Sequence, residues 1–144
     1  MSVPTHDYEW EQGADLVIPL VYKTGSPGAE TPTDLTAYSL RMDISSLGAR
    51  IYTFNSADIT DLDGTGPGTT GDTTKEAVLG ADGTINIAVP RILTLPGPSG
   101  VIYTEMASNR NIFDYDIFLR DAADKQLKIL SGKITVNKSV TLWA

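Results

Sequence analysis

Short runs of alternating apolar and polar residues, separated by clusters of Gly, Pro, Thr and Asp, dominate this chain, and no stretch of ten or more residues carries an apolar face at helical spacing. A period of two is the signature of strands with one face buried, so the pattern excludes helical bundles and predicts an all-β fold. In DLVIPLVYK, Leu16, Ile18, Leu20 and Tyr22 fall on one face and Val17 and Val21 on the other. Pro19 has no amide to donate, which predicts an edge strand or one that changes partner there. YSLRMDIS places Leu40, Met42 and Ile44 inward against Arg41, Asp43 and Ser45. SLGAR then reads as a turn into RIYTFN, with Tyr52 and Phe54 opposite Ile51 and Thr53, so the two runs form a hairpin.

The pattern resumes in TINIAVP, where Ile85, Ile87 and Val89 alternate with Thr84, Asn86 and Ala88. RILTLPGPSG has room for one helical turn between its prolines, and VIYTEM reads as a short strand. IFDYDIFLR sets Tyr115, Ile117 and Leu119 against Asp114, Asp116 and Phe118. In QLKILSGKITVNK the phase changes, Leu127 and Ile129 having one parity and Leu130, Ile134 and Val136 the other, and a β-bulge is expected at Ser131-Gly132. SVTLWA extends that strand or forms a terminal arm. Seven to eight short strands with long loops predict an immunoglobulin-like antiparallel β-sandwich, with a small closed barrel as the competing architecture.

The 144 residues suit one domain, 1–144. A flexible N-terminal arm is expected over about 1–10. Thr24 to Asp34 reads as a loop, and a long inserted loop is expected over about 56–83, where SADITDLDGTGPGTTGDTTKEAVLGADG breaks all periodicity. The chain has no cysteine, so disulfides and thiolate chemistry are excluded and stability rests on packing. Its formal charge of −7, without a basic stripe, opposes binding to nucleic acid. No apolar run approaches a membrane span and MSVPTHDYEWEQGADLV does not read as a secretion signal, so no membrane partner and synthesis in a cytosol are expected.

Ionisable groups concentrate in YDIFLRDAADKQLKILSGKITV, Tyr115 to Val136. Asp114 and Asp116 share a strand face and their carboxylates have the spacing of a candidate acid/base pair, whereas Asp121, Asp124 and Lys125 suit a turn, because Asp side chains accept nearby backbone amides. The hairpin is the favoured reading. DITDLDGTG departs from an EF-hand, since alignment on Gly64 places Ile59 and Thr70 at carboxylate positions, and Asp58, Asp61 and Asp63 remain as weak candidates for a looser calcium site. GTTGDTTK lacks the Gly-Lys-Ser/Thr of a phosphate loop, because Glu76 follows Lys75. His6, the single histidine, has no second His or Cys for a metal and is expected to be exposed. No catalytic residue, cofactor or enzymatic activity is expected. Tyr8, Trp10, Leu142 and Trp143 are interface candidates, with core placement the alternative for the two tryptophans. Tyr22, Tyr38, Tyr52 and Tyr103 suit either strand packing or a sugar-stacking platform.

The succession EQGADLVIPLVYK, DLTAYSLRMDI, DGTINIAVP and FDYDIFLRDAADKQLKILSGKITVNKSVT resembles small phage tail and baseplate β-sandwich domains, including the N-terminal part of baseplate upper proteins. The matched positions are Gln12, Gly13, Asp15, Asp34, Leu35, Thr36, Tyr38, Arg41 and Met42. Near the other end they are Tyr115, Asp116, Leu119, Asp121, Lys125, Leu130, Gly132, Val136, Val140 and Thr141. Ala37 departs from a frequent glycine, and the two long loops exceed the family's. The resemblance implies a virion protein made in the host cytoplasm. It would form a homo-oligomeric ring or collar at the tail tip or baseplate and dock side tail fibres or other tail proteins. A carbohydrate-binding host-recognition module and a head-tail joining or capsid-decoration protein are the alternatives.

Overall fold

Alternation drives the chain into two facing sheets with one core between them. The computed structural model describes residues 4–55, 77–89, 91–98 and 100–139. The strands are β1 (Tyr8–Glu11), β2 (Leu16–Val21), β3 (Lys23–Thr24), β4 (Thr31–Pro32), β5 (Ser39–Ser46), β6 (Ala49–Asn55), β7 (Ala77–Leu79), β8 (Thr84–Val89), β9 (Ile112–Arg120) and β10 (Gln126–Asn137). A five-stranded sheet runs β1-β10-β9-β5-β6, a three-stranded sheet runs β2-β8-β7, and β3 and β4 form a small ribbon. The inward residues of both larger sheets, among them Ile18, Met42, Ile85, Ile87, Phe113, Ile117 and Ile134, join one buried cluster. The molecule is thus an all-β sandwich of immunoglobulin-like kind, as the alternation predicted.

Several expectations hold at the level of register. β2 is an edge strand with Pro19 opposite Asn86, its Leu16 and Ile18 buried and Val17 and Val21 turned to solvent. The β5–β6 hairpin closes through Leu47 and Gly48 at φ of 52° and 82°. Two positive φ values in a two-residue loop match the right-handed twist of the flanking strands. β9 and β10 pair from Arg120 and Gln126 down to Ile112 and Thr135.

Other expectations are corrected. VIYTEM is not a strand: Val101–Ala107 is an α-helix, α1, preceded by a 3-10 turn at Arg91–Thr94. Ile102 and Met106 lie four apart and are both buried, and helical spacing brings them to one face against the core. The short run VIYTEM satisfies period two and period 3.6 almost equally, and packing decided it. β7 shows that the expected 56–83 loop yields its last part to a strand pairing with β8, while 56–76 lies outside the described residues. The bulge in β10 falls between Lys128 and Leu130, earlier than Ser131-Gly132. Thr24 to Asp34 is not wholly loop, because Thr31–Pro32 returns to pair with Lys23–Thr24. Ten strands are described in place of seven or eight, the unexpected ones being β1, β7 and the two-residue β3 and β4.

The largest correction concerns the N-terminal segment. The expected flexible arm is instead anchored along β10: Thr5 bridges Ser131, and Tyr8 to Glu11 pair in parallel with Ile134 to Asn137. The sandwich is therefore antiparallel except at this seam. Trp10, expected at an interface, is 1% exposed within the core, and its indole N–H donates to the Ala14 carbonyl at 2.6 Å. Burying a ring of that size outweighs the entropy of a free arm. Trp10→Ala is expected to cost about 3–5 kcal/mol of unfolding free energy in urea titrations. A loss below about 1 kcal/mol would place the ring outside the core.

Candidate functional site

The carboxylate-rich stretch that stood out in the sequence is the β9–β10 hairpin. Its turn is organised by Asp121, whose carboxylate accepts the backbone N–H groups of Ala123 and Lys125, both at 2.9 Å. Asp124 takes φ of 66°, which an aspartate tolerates better than most residues. Asp114 and Asp116 do not form an acid/base pair. Each is engaged by its own lysine from β10, Lys133 on Asp114 at 2.9 Å and Lys128 on Asp116 at 3.6 Å. The Asp114 hydrogen bond and charge hold the Lys133 ammonium above its ordinary pKa. Asp43, opposite Asp116 on β5, is in turn balanced by Arg41 at 3.2 Å and Arg50 at 4.0 Å. The outer face of the five-stranded sheet is thus a ladder of neutralised charges.

Beside this ladder the N-terminal segment runs parallel to β10 and passes close to Gly132. A Cβ there would collide with the His6 carbonyl oxygen, so only glycine admits the neighbouring chain. The Tyr115 hydroxyl donates to that same carbonyl, and the Asp7 carboxylate accepts the Lys133 backbone N–H at 3.0 Å. Burial, reinforced by Tyr8 and Asp7, pushes the Tyr115 phenol far above its usual pKa, which keeps it a donor. His6 is exposed with its ring edge-on to Tyr8, 4.5 Å between centroids, and Tyr8 is half-buried against Tyr115.

Of the tyrosines considered for a stacking platform, Tyr52 is buried and Tyr103 stands on α1, so the four do not meet. Tyr38 alone lines an open hollow of about 410 Å³ with Thr36, Ser39, Arg120, Asp121 and Asp124. Arg120 is oriented there by Ser39 at 3.3 Å and Asp124 at 3.6 Å. Asp58, Asp61, Asp63, Leu142 and Trp143 lie outside the described residues. Among the described residues no group of three or more His, Asp or Glu side chains is placed to hold a metal ion.

Two structural roles escaped the sequence reading, those of Leu47 and Gln12. Leu47 is 79% exposed at the tip of the β5–β6 hairpin, in a left-handed conformation that costs a leucine about 1–2 kcal/mol. The signal was the Leu-Gly order in SSLGAR, where Asn-Gly is the relaxed choice. Gln12 is buried and reaches the Thr94 carbonyl at 3.0 Å, an anchor that only long-range packing reveals.

The site comparisons add little beyond the fold. No protein-family model and no curated protein matches the chain. Solved structures similar to it include extracellular domains 3–5 of Drosophila OTK, 13% identical, covering 98% of this chain and 35% of that one, with a TM-score of 0.37. Murine CRIg is 11% identical, covering 94% of this chain and 92% of that one, with a TM-score of 0.33. The chain spans about a third of the length of the OTK structure. Likenesses this distant carry no argument about function.

Two turn carboxylates give the surface a defined acid response. Asp34 is held below its ordinary pKa by the backbone N–H of Thr36 and then its hydroxyl, and Asp82 by the Thr84 hydroxyl and then its N–H. A lowered folded pKa means that this stability is complete above the ordinary value of about 4 and is lost as pH falls through the folded values. Replacing both by asparagine is expected to flatten the fall in urea midpoint between about pH 5 and pH 2. An unchanged acid limb would contradict the assignment.

Proposed function

We propose that this protein is a structural virion component of a tailed phage, a ring or collar subunit at the tail tip or baseplate that docks tail fibres or neighbouring baseplate proteins. The observation that carries this reading is the ordered run of positions matching phage tail and baseplate sandwiches. These positions occupy the joints of the fold: Gln12 at the buried corner, Asp34 and Asp121 in the turns, Tyr115 and Gly132 at the N-terminal seam. A scaffold defined by its joints, with the carboxylates of Asp43, Asp114 and Asp116 each held by a basic side chain, suits a role in assembly more than one in chemistry. Leu47 supports a docking role, because an exposed leucine in a strained turn is retained at a cost that a partner contact would offset.

A second reading, a carbohydrate-binding module for host recognition, is favoured by the Tyr38 hollow, where an aromatic ring meets polar and charged side chains on an open surface. Glycan-array binding lost on Tyr38→Ala would favour the second reading, and its absence is expected under the first. Gold-conjugated antibody on intact virions is expected to decorate the tail tip or baseplate, and label confined to the capsid would contradict the proposal. Leu47→Asn is expected to raise the stability of the isolated protein by about 1 kcal/mol while reducing its retention on particles. Greater stability with undiminished retention would remove Leu47 from the docking surface.

A further inference from the structure

The two sheets turn very different faces outward. Along β2 and into β3, Leu16 and Ile18 are buried and Leu20 and Tyr22 half-buried, whereas Asp15, Val17, Pro19, Val21 and Lys23 are all exposed at alternate positions. This outward stripe begins with a carboxylate, ends with an ammonium and holds three apolar side chains between, Val17 and Val21 being 60% and 56% exposed. Across from Val17, Pro19 and Val21, β8 presents Ala88, Asn86 and Thr84, so these three rungs carry no ionisable group. The outer face of the five-stranded sheet, by contrast, is laced with the ion pairs of Asp43, Asp114 and Asp116.

We propose that this stripe is a two-fold contact that receives a second copy of the same chain, with the β2 strands of the two copies antiparallel. Reversal makes the stripe its own complement: Asp15 of one copy meets Lys23 of the other, Val17 meets Val21, and Pro19 meets Pro19. The ends of β8 obey the same rule. Arg91 lies at the Asp15 end, 4.0 Å from that carboxylate, and Asp82 precedes β8 at the Lys23 end, so reversal also sets Arg91 toward Asp82. Lys23 makes no ion pair among the described residues and is available for the contact.

Charge favours a second copy as the occupant. The chain carries −7, so copies repel through most of their surface, but Asp15 and Lys23 cancel and the stripe between them is neutral. Pro19 shapes the contact. With no amide to donate at mid-strand it prevents the two edges from joining as one continuous ladder, so side chains meet face to face. Eight residue steps span roughly 26 Å, which gives an interface at the small, reversible end of the range. Such a contact is isologous and separate from the head-to-tail contacts that close a ring, so it goes beyond the collar reading.

The test is analytical ultracentrifugation at low salt over a concentration series, on the natural chain, Lys23→Glu, Asp15→Lys and Val17→Asp/Val21→Asp, with circular dichroism melts to verify folding. The natural chain is expected to associate reversibly, and each variant about tenfold or more weakly, because like charges then face each other. An equimolar mixture of Lys23→Glu and Asp15→Lys restores both opposite-sign pairs and is expected to yield a heterodimer. A natural chain that stays monomeric at millimolar concentration, folded variants that associate unchanged, or a mixture that stays monomeric would each overturn the contact. Rings that persist in all the variants, with no further pairing of the natural chain that the variants weaken, would overturn it while leaving the collar reading intact. Dimers abolished by the variants, with no larger species, would sustain it and count against the collar.

Discussion

The rest of the molecule depends on the corner built around Gln12. Its backbone N–H donates to the Asn137 carbonyl at 2.9 Å, continuing the β1–β10 seam, while its side-chain amide donates to the Thr94 carbonyl at 3.0 Å. Its side-chain oxygen accepts the Ser139 N–H at 3.2 Å and its own carbonyl accepts the Ser139 hydroxyl at 2.7 Å. Gly13, at φ of 86° in the turn from Glu11 to Ala14, adds a bond to the Thr94 hydroxyl at 2.9 Å. One buried amide thus joins the edge of the five-stranded sheet, the start of the three-stranded sheet and the 3-10 turn between β8 and α1. A buried amide in this position fixes geometry because each unmade bond would leave a polar group unsatisfied.

With that corner in place the two outer faces separate in character. The five-stranded face spreads its charge along pairs within and between strands, exposed or partly exposed and individually modest, which together keep like charges from facing one another unbalanced. The three-stranded face concentrates apolar side chains along an edge strand, with charge only at its ends. This asymmetry is the physical basis of the proposed two-fold contact: one face carries paired charges and the other an uncharged apolar stripe.

Much of this was legible in the sequence. Alternation placed β2, β5, β6, β8, β9 and β10 and their inward residues, because period two is enforced by sterics alone. Pro19 announced an edge and Asp121 a turn for equally local reasons. α1 was hidden because a seven-residue element is chosen by what it packs against, here Ile102 and Met106 over the core. The parallel seam of β1 was hidden too, since Thr5 and Ser131 are far apart in sequence and no local pattern pairs them. The same holds for the outward stripe of β2: its alternation was plain, but its exposed face gained meaning only beside the charge ladder of the other sheet.

The central claim is that residues preceding the Gln12 corner are a strand of the sandwich and not an arm appended to it. Native-state hydrogen exchange of the backbone amides bonded across this seam, His6 and Gln12, measures that directly. The account predicts protection comparable to β9 and β10, lost only with global unfolding. Exchange of these amides at rates near those of an unstructured chain, with β9 and β10 still protected, would contradict it.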